Sequence, residues 1–536
     1  MDRRTFLQTA AAAAGITSMA PGCAALSPLP GKIIGASAAA GHQLRDRSFG
    51  PPSEIFQKEV VIIGGGISGL SAARRLHQSG LEDFMVLDLE SVLGGNAAQG
   101  ANRISAYPWG AHYVPTPNND LHEYLQFLEE SGVITGRNEQ GLPVYNEYYL
   151  CFDPQERLYL NGQWQDSLVP HFGVPPEEKA QIDRFFRLMD DFRHRKGSDG
   201  KDAFALPVNH SSTDEAFTRL DRLTMQQWLQ HNGFTSPYLH GHINYCTRDD
   251  FGTPLHQVSA WAGIHYFAAR KGRGANAGPS DVLTWPEGNG WLATRLQKGL
   301  EGRLQRQALA VRVEPKEDAI RITFLDTLSG RLWAVDAGHC IAAVPQFVAA
   351  RLLGERERIE KVKRRLSYAP WMVANLAVSE LEERSGAPAS WDNVLYDSPS
   401  LGYVDATHNQ VQQGGTHRNL TYYLPLTAGS PAEERRAALA RTHSEWVELI
   451  FDDLQKVHPN LRKATKEVHV MLWGHAMAQP LPGSIWGGAR AELSASLFDD
   501  RLHFAHTDLA GVSLFEEAFY QGLGAADSVL KRIQRK

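Results

Sequence analysis

Residues 59–88 read EVVIIGGGISGLSAARRLHQSGLEDFMVLD, and this stretch decides the fold. The largely apolar run Glu59–Ile63 predicts a buried parallel strand, and Phe84–Leu87 predicts a second one. Between them lie a glycine-rich turn and a segment with the periodicity of an amphipathic helix. A strand, a glycine turn, a helix and a second strand in this order predict the β-α-β unit that binds dinucleotides.

The glycine turn matches the pattern GxGxxG, and each of its glycines has a mechanical role. Gly64 permits the tight turn, Gly66 lets the backbone approach a pyrophosphate, and Gly69 allows the helix to pack closely on the strand. The helix N-terminus presents free N–H groups and a partial positive charge to the phosphates. Asp88 follows the second strand and can accept hydrogen bonds from an adenosine ribose. The predicted dinucleotide-binding residues are Gly64, Gly66, Ile67, Ser68, Gly69 and Asp88.

The composition of the 536-residue chain is that of a packed globular protein, with 43% hydrophobic and 21% charged residues. It excludes a disordered chain, a collagen-like repeat and a polytopic membrane protein. The net charge is -6, from 54 basic and 60 acidic side chains, so there is no basic excess to neutralise nucleic-acid phosphates. Four cysteines without CxxC spacing predict neither a disulfide framework nor a metal site.

The first 25 residues predict an export signal. They combine a charged start, an Ala-rich apolar run and a small-residue exit. Residues 3–7, RRTFL, resemble the twin-arginine motif, although Asp2 stands where Ser or Thr is usual. We therefore expect the twin-arginine export machinery to carry the folded protein to the periplasm, with residues 26–56 as a linker. Lipidation of Cys23, which would anchor the protein to a membrane, is left open.

Residues 88–96, DLESVLGGN, place a glycine pair, Gly94 and Gly95, six residues after the acid. This arrangement resembles the FAD-binding start of the flavin-containing amine oxidoreductases. That superfamily includes monoamine and polyamine oxidases, spermidine dehydrogenases, protoporphyrinogen oxidase and phytoene desaturases. Its members usually have Glu at the acid and Arg after the glycine pair, whereas this chain has Asp88 and Asn96. The resemblance implies that the dinucleotide is FAD.

The C-terminal segment carries a second part of the resemblance. Residues 501–508, RLHFAHTD, predict a strand and a turn, followed by a helix over about 514–533. In the superfamily a strand here ends near the flavin ribityl chain. The resemblance implies that Asp508 binds a ribityl hydroxyl and that amides near Val512 and Ser513 meet the flavin ring or pyrophosphate. No cysteine follows position 340, so the thioether of monoamine oxidases is excluded and FAD is expected to be non-covalent.

Internal segments extend the resemblance. Residues 285–292, WPEGNGWL, resemble the superfamily's Pro-x-Gly-Gly segment. Val311 corresponds to a valine that meets adenine through its backbone in relatives. Residues 107–113, YPWGAHY, lie where relatives pass the flavin ring, and the small Gly110 and Ala111 would allow a close approach.

Aromatic and histidine side chains are the candidates for the substrate pocket. His112 is a candidate acid–base group, with a loop histidine as the alternative. Trp473 is a candidate to lie over the flavin, with a buried core tryptophan as the alternative. Flat aromatic faces can hold an amine by cation–π attraction. The other predicted pocket residues are Trp371, Tyr403 and Tyr422.

The predicted fold is α/β, with a Rossmann-like FAD-binding domain of the glutathione-reductase type interleaved with an α+β substrate-binding domain. The FAD-binding domain is expected to comprise residues 57–115, 280–350 and 465–536. The substrate-binding domain is expected to comprise residues 116–279 and 351–464.

The flavin supplies the redox chemistry, so the predicted function is that of an exported FAD-dependent oxidoreductase. By resemblance, it takes a hydride from a C–N bond of a small amine, polyamines included. Oxygen or an envelope electron carrier would then reoxidise the flavin. Two alternatives stay open: a C–C desaturase or isomerase that acts on an apolar isoprenoid or porphyrinogen, and a non-catalytic flavoprotein partner.

Overall fold

The computed structural model describes residues 29–410 and 416–535. The export signal and Cys23 therefore lie outside the described residues. The strands are β1 (Ile33–Gly35), β2 (Glu54–Ile63), β3 (Phe84–Leu87), β4 (Gln99–Ala101), β5 (Ala106–Pro108), β6 (Tyr113–Pro115), β7 (Ile134–Arg137), β8 (Pro143–Tyr145), β9 (Glu156–Leu160), β10 (Gln163–Asp166), β11 (Val282–Thr284), β12 (Leu304–Gln305), β13 (Ala308–Pro315), β14 (Ile320–Asp326), β15 (Leu332–Ala342), β16 (Tyr368–Ser379), β17 (Asp392–Leu395), β18 (Tyr403–Asp405), β19 (His417–Pro425), β20 (Thr465–Ala478) and β21 (Leu502–Phe504). The helices are α1 (Ala38–Asp46), α2 (Ile67–Gln78), α3 (His122–Glu130), α4 (Pro176–His194), α5 (Glu215–Thr218), α6 (Met225–His231), α7 (Pro237–Phe251), α8 (Ala260–Ala268), α9 (Gly290–Leu296), α10 (Gln346–Leu353), α11 (Arg356–Arg365), α12 (Pro431–Ala440), α13 (His443–Leu454), α14 (Leu461–Ala464), α15 (Ala489–Ser494) and α16 (Phe515–Ile533).

The first sheet has the order β12-β3-β2-β15-β14-β13, and β21 pairs with β15. Strands β3, β2, β15 and β21 run parallel, and the last four residues of β2 are fully buried, as expected for a strand covered on both faces. Helix α2 follows β2 and packs against the C-terminal helix α16. Their backbones are close: a side-chain carbon at Gly522 would lie 2.1 Å from the Ser68 carbonyl oxygen. The predicted α/β fold with a Rossmann-like unit is confirmed.

The second sheet has eight strands in the order β1-β20-β16-β19-β18-β17-β9-β10. Helices α12 and α13 contribute to the core on one side of it, and helices α4 to α8 form a further core nearby. Strand β20 belongs to this sheet because it pairs with β16 along most of its length. We expected a boundary at residue 465 that would place this strand in the FAD-binding part, and the observed pairing differs from that expectation.

The segment that we expected to be a linker carries regular structure where it is described. Strand β1 pairs in parallel with β20, from Ile33 opposite Val470. The Ser37 amide and hydroxyl both donate to the Glu90 carboxylate at 2.8 Å, just before helix α1. Leu44 packs against the nucleotide-binding sheet. The small residues of this stretch suggested a tether, but its few apolar side chains supply specific contacts that composition alone did not reveal.

We expect Ser37→Ala to loosen this segment by about 1 kcal/mol, because the Glu90 carboxylate loses a hydroxyl donor. Trypsin cleavage after the exposed Arg45 and Arg47, followed by mass spectrometry, should then be about fivefold faster, since the open population controls cleavage. Ser329→Ala, at an exposed turn elsewhere, should cleave like the wild type. Equal cleavage of all three proteins would contradict the assigned contact.

Candidate active site

The glycine turn at the carboxyl end of β2 is shaped by close backbone contacts. A side-chain carbon at Gly64 would lie 2.3 Å from the Ala343 carbonyl oxygen, and one at Gly69 would lie 1.8 Å from the Gly64 carbonyl oxygen. At Gly66 the nearest such atom is Cα of Gly95, at 3.9 Å. Gly66 is also the N-cap of α2 and offers no side chain to the first helical amides. The turn is therefore closed on its sheet side and open where a pyrophosphate would bind.

Asp88 lies at the end of β3 and holds this turn. Its Oδ2 accepts a hydrogen bond from the Gly65 amide at 2.5 Å, and its Oδ1 accepts one from the Glu90 amide at 2.7 Å. Burial raises the pKa of Asp88 to about 6, although the hydrogen bonds from these two backbone amides lower it. Each carboxylate oxygen keeps a further lone pair for a ribose hydroxyl. The predicted Gly94 joins the same turn, since its amide donates to the Gly65 carbonyl oxygen at 2.9 Å.

Two other positions near the turn show how the chain departs from the superfamily pattern. Val311 lies at a register shift between β13 and β14, so its backbone stands outside the regular ladder, where an adenine could meet it. Its side chain is buried with Leu309 and Leu325. Asn96 is exposed, and its amide nitrogen donates to the Ala476 carbonyl oxygen. Asn96 therefore links the nucleotide-binding part to β20 in this structure.

Asp508, the residue predicted to bind a ribityl hydroxyl, lines neither of the two cavities described below. It is fully buried, and its Oδ2 accepts hydrogen bonds from the Gln346 amide at 2.7 Å and the Tyr368 hydroxyl at 2.6 Å. Burial alone would raise the pKa of Asp508, but the neighbouring His506 and these donors hold it below the usual range. The Val512 side chain is likewise buried, in the core formed by helices α4 to α8. Ser513, one residue later, reaches the cavity.

The central cavity consists of two neighbouring cavities that share lining residues, named here the inner and the outer chamber. The inner chamber, about 150 Å³, is lined by six residues predicted from the sequence: Gly110, Ala111, His112, Trp371, Trp473 and Ser513. The outer chamber, about 490 Å³, is lined among others by Glu156, Tyr245, Trp391 and Asp392. Both chambers share His112, Tyr113, Asp249, Arg270 and Tyr423. The structure thus brings the early and late predicted segments to one cavity.

Small residues form the floor of the inner chamber. A side-chain carbon at Gly110 would lie 2.3 Å from the Asn96 carbonyl oxygen, and Ala111 is exposed although it lies deep in the fold. Trp371 and Trp473 line the same chamber because they are direct partners across β16 and β20. The Trp473 indole N–H donates to the Trp109 carbonyl oxygen at 2.6 Å, which fixes the ring.

Tyr403 and Tyr422 do not reach either chamber. They are partners across β18 and β19, and both belong to the core on the far side of the sheet. The Tyr422 hydroxyl donates to Asp453, and Tyr403 contacts His458. Successive side chains of a strand point to opposite faces, so the neighbouring Tyr423 lines the cavity instead. The prediction of Tyr403 and Tyr422 as pocket residues was therefore wrong, because their side chains point to the face of the sheet opposite the cavity.

His112 lies between aromatic rings. Its ring centroid is 4.6 Å from that of Tyr423 and 5.5 Å from that of Trp391. Burial lowers the pKa of His112 to about 3, although a backbone contact to Gly110 opposes this. The imidazole is therefore neutral over the whole physiological range and acts as part of the aromatic wall. This geometry favours packing over the predicted acid–base role.

We expect His112→Gln to change the rate of flavin reduction by less than about tenfold, well below the usual contribution of a general acid or base. The pH profile of reduction should keep the same limbs between pH 5 and 9, because a neutral wall residue does not titrate there. Stopped-flow measurements across this range check the prediction. Loss of a limb in this variant would instead assign acid–base chemistry to His112.

Carboxylates dominate the rest of the cavity. Asp249 and Asp250 end helix α7, and Arg270 follows α8. The Arg270 guanidinium donates to both oxygens of Asp250, at 2.8 and 2.9 Å. Asp249 accepts a hydrogen bond from the Tyr113 hydroxyl at 3.3 Å. Burial, followed by the charge of Asp250, raises the pKa of Asp249 to about 7.

Two further acids are neighbours in the outer chamber. Asp392 and Glu156 are direct partners on the parallel strands β17 and β9. The Tyr245 hydroxyl donates to Asp392 at 3.2 Å. Burial, then the charges of Asp249 and Glu156, raises the pKa of Asp392 well above its usual value. The only basic side chain besides Arg270 among the described lining residues is Arg193, which pairs with Asp190.

These acids are not among the residues predicted from the sequence. Asp249 and Asp250 stand in the last turn of α7, where the helix dipole disfavours negative charge, and this was a signal of a special position. Asp392 and Glu156 carried no such signal, because their neighbourhood depends on the pairing of distant strands. Within the part of the chain that the structure describes, no group of three or more His, Cys, Asp or Glu residues is placed to hold a metal ion.

The residues present fit FAD. The open side of Gly66 leaves room for a pyrophosphate, Asp88 offers acceptors for a ribose, and the small floor at Gly110 and Ala111 leaves room for a flat ring. Two buried polar atoms of the inner chamber, Asn289 Oδ1 and Trp371 Nε1, have no hydrogen-bond partner. Such atoms are expected where a ligand completes the site.

Comparisons with known proteins agree with this geometry. A family model described as an NAD(P)-binding Rossmann-like domain matches residues 62–128. The chain is 24% identical over 526 residues to the oxidoreductase PigB of a Serratia species, which covers 88% of this chain and 75% of that protein. It is 24% identical over 306 residues to the flavin-containing amine oxidase B of Cavia porcellus, which covers 55% of this chain and 51% of that protein.

Solved structures share the fold. Putrescine oxidase bound to putrescine superposes with a TM-score of 0.64 at 16% identity, covering 89% of this chain and 100% of that one. Cyclohexylamine oxidase from Brevibacterium oxydans gives 0.62 at 16% identity, with coverages of 89% and 100%. A fatty acid isomerase from P. acnes gives 0.60 at 16% identity, with coverages of 88% and 98%.

Proposed function

We propose that this chain is an FAD-dependent enzyme of the flavin-containing amine oxidoreductase superfamily and that it oxidises the C–N bond of a cationic amine, diamines and polyamines included. When bound, FAD supplies the acceptor for a hydride. The product imine would hydrolyse to a carbonyl compound and an amine. The residues of the cavity then have to bind, orient and shield the amine.

The observation that carries this proposal is a group of buried carboxyl groups in the cavity that have no cationic partner. Asp249, Asp392 and Glu156 line it, whereas the charge of Arg270 is shared with Asp250 and that of Arg193 with Asp190. Buried carboxylates are costly unless a cation pairs with them, and an ammonium group provides that cation. The raised pKa of Asp392 has the same cause, namely burial together with its acidic neighbours.

The two chambers suit an amine with a second charge. The inner chamber offers aromatic faces, Trp371 and Trp473, which hold an amine and exclude water from it. The outer chamber offers Asp392 and Glu156 to a distal ammonium group. We therefore propose that the oxidised carbon lies in the inner chamber while the distal charge lies in the outer one.

A C–C desaturase or isomerase is the second candidate, since a fatty acid isomerase has the same fold. The fold does not separate the two, but the lining does. An apolar chain would have to lie against Asp249 and Asp392 without satisfying their charge, which disfavours it. The open cavity likewise gives no support to a non-catalytic role.

Export by the twin-arginine route to the periplasm, with or without a lipid at Cys23, is also part of the proposal. It is supported by the sequence of residues 1–25. Oxygen or an envelope electron carrier remains our proposed acceptor of electrons from the reduced flavin. No helix among the residues placed by the structure is long and apolar enough to span a membrane.

Anaerobic mixing of the purified holoenzyme with single donors tests the function. We expect putrescine or spermidine to bleach the flavin absorbance and to yield the corresponding carbonyl product by mass spectrometry. Linoleic acid, as an apolar donor, should leave the flavin oxidised and itself unchanged. Isomerised linoleic acid, together with inert amines, would replace the proposal with the second candidate.

A further inference from the structure

We propose that Asp249 accepts the proton that the substrate ammonium group must lose before its C–N bond is oxidised. This inference rests on the proposed function and assigns a catalytic residue to it. An N–H bond of the ammonium breaks, an O–H bond forms on the Asp249 carboxylate, and the electron pair stays on nitrogen. The result is a neutral amine beside a neutral carboxylic acid, without any change of oxidation state.

The position of Asp249 is the first support. It is one of the residues that line both chambers, so it can contact an amine that extends from one chamber into the other. Asp249 is half-buried, whereas Asp250 is buried and accepts hydrogen bonds at both of its oxygens from one Arg270 nitrogen. Asp249 is therefore the acid of the Asp249–Asp250 pair that is free to exchange a proton with a bound amine.

The polarity of the inner chamber is a second and independent support. Asn289 is 2% exposed and Trp371 is 7% exposed, yet Asn289 Oδ1 and Trp371 Nε1 have no hydrogen-bond partner. Both side chains line this chamber. Because Asn289 and Asp249 both line this chamber, an amine placed there meets the Asp249 carboxyl group together with unpaired polar atoms.

The surroundings of Asp249 match the task of a base near neutral pH. Burial raises its pKa to about 7, Asp250 adds to this, and Arg270 and the Tyr113 hydroxyl oppose it. A base with a pKa near the working pH is the most effective proton acceptor. The other titratable groups whose charges interact with Asp249 are Asp392, Tyr245, Tyr423 and Cys246.

The pH dependence of anaerobic flavin reduction by putrescine, measured by stopped flow, tests the inference. For the wild type at limiting substrate, the rate should rise around pH 7 as Asp249 ionises and then reach a plateau. It should fall again at about pH 10 as the free amine loses its proton. With Asp249→Asn the free amine alone reacts. The limb near pH 7 should be replaced by a rate that rises about tenfold per pH unit up to about pH 10 and lies about 100-fold below the wild type at pH 8.

A second variant guards against a mere loss of structure. Tyr113→Phe keeps the Asp249 carboxylate but removes the hydrogen bond from the Tyr113 hydroxyl. That bond lowers the pKa of Asp249, so its loss raises the pKa. The acid limb should therefore move to higher pH while the plateau remains. Glu516 is the other acid that lines the inner chamber without an arginine partner, and it is buried. An unchanged profile in Asp249→Asn, or an acid limb that instead disappears in Glu516→Gln, would overturn the assignment.

Proton release on binding gives a readout without turnover. tert-Butylamine has no hydrogen on the carbon next to nitrogen and cannot be oxidised to an imine. Calorimetric titration of the holoenzyme at pH 6, in two buffers of different ionisation heat, should show about one proton released per site. The reason is that the bound amine and Asp249 together hold one proton fewer than the free ammonium ion and the protonated carboxyl group. Asp249→Asn should release none. Equal release by both proteins would contradict the inference alone, whereas a holoenzyme that no amine reduces would overturn the proposed function as well.

Discussion

Gly66→Val is expected to give a folded protein that is purified colourless. Gly66 has φ -75° and ψ -176°, which an L-residue adopts without strain. An added side-chain carbon would meet no protein atom closer than 3.9 Å. The valine would instead occupy the open side of the turn, where the pyrophosphate must approach the backbone. Retained FAD should therefore fall by more than about 100-fold, since the loss of a pyrophosphate site removes several charge-assisted hydrogen bonds.

Absorbance of the purified protein, with FAD quantified after denaturation, measures this effect. Circular dichroism and thermal melting should remain those of the wild-type apoprotein. Gly136→Val is a matched control, because a side-chain carbon at Gly136 has no neighbour within 4 Å and the residue is remote from the turn. Full flavin occupancy in Gly66→Val would show that the glycine turn is not part of the cofactor site.

Asp392→Asn is expected to lower kcat/KM for putrescine by about 100-fold and to leave that for butylamine within about threefold, because a charge-assisted contact contributes about 1.5–3 kcal/mol. Asparagine preserves the volume and the acceptor for the Tyr245 hydroxyl. The variant removes only the charge that would face a distal ammonium group. Steady-state kinetics with the two amines, which differ by that group, measure the effect directly.

Asp397→Asn provides the control for this substitution. Asp397 is an exposed carboxylate five residues further along the chain and lines neither chamber. Its variant should leave both kinetic constants unchanged. If Asp392→Asn lowers kcat/KM equally for both amines, the outer chamber does not bind a second ammonium group, and the diamine part of the proposed function fails.

The β-α-β unit was predictable because its signals are local. The apolar strand, the glycine turn and the acid after β3 follow one another within residues 59–88, and the structure places them as expected. The C-terminal helix was also predictable, because the periodic spacing of its apolar residues is a local signal. These features need no knowledge of which distant segments meet.

The cavity was only partly predictable because it is assembled from distant strands. Tyr422 and Tyr423 are adjacent in sequence, and only the alternation of side chains along β19 decides which of them faces the cavity. Asp392 and Glu156 become neighbours only through the pairing of β17 with β9. Asp508 was placed by resemblance to a motif that it matches loosely, and its side chain instead joins Gln346 and Tyr368.

The central claim is that one FAD spans both ends of the chain, and a crystal structure of the purified yellow protein tests it most directly. We predict density for FAD with its ribose at Asp88 and its ring in the inner chamber, bounded by Ala111, Trp473 and Ser513. Density for a nicotinamide dinucleotide at Asp88, or a flavin ring outside that chamber, would contradict the account.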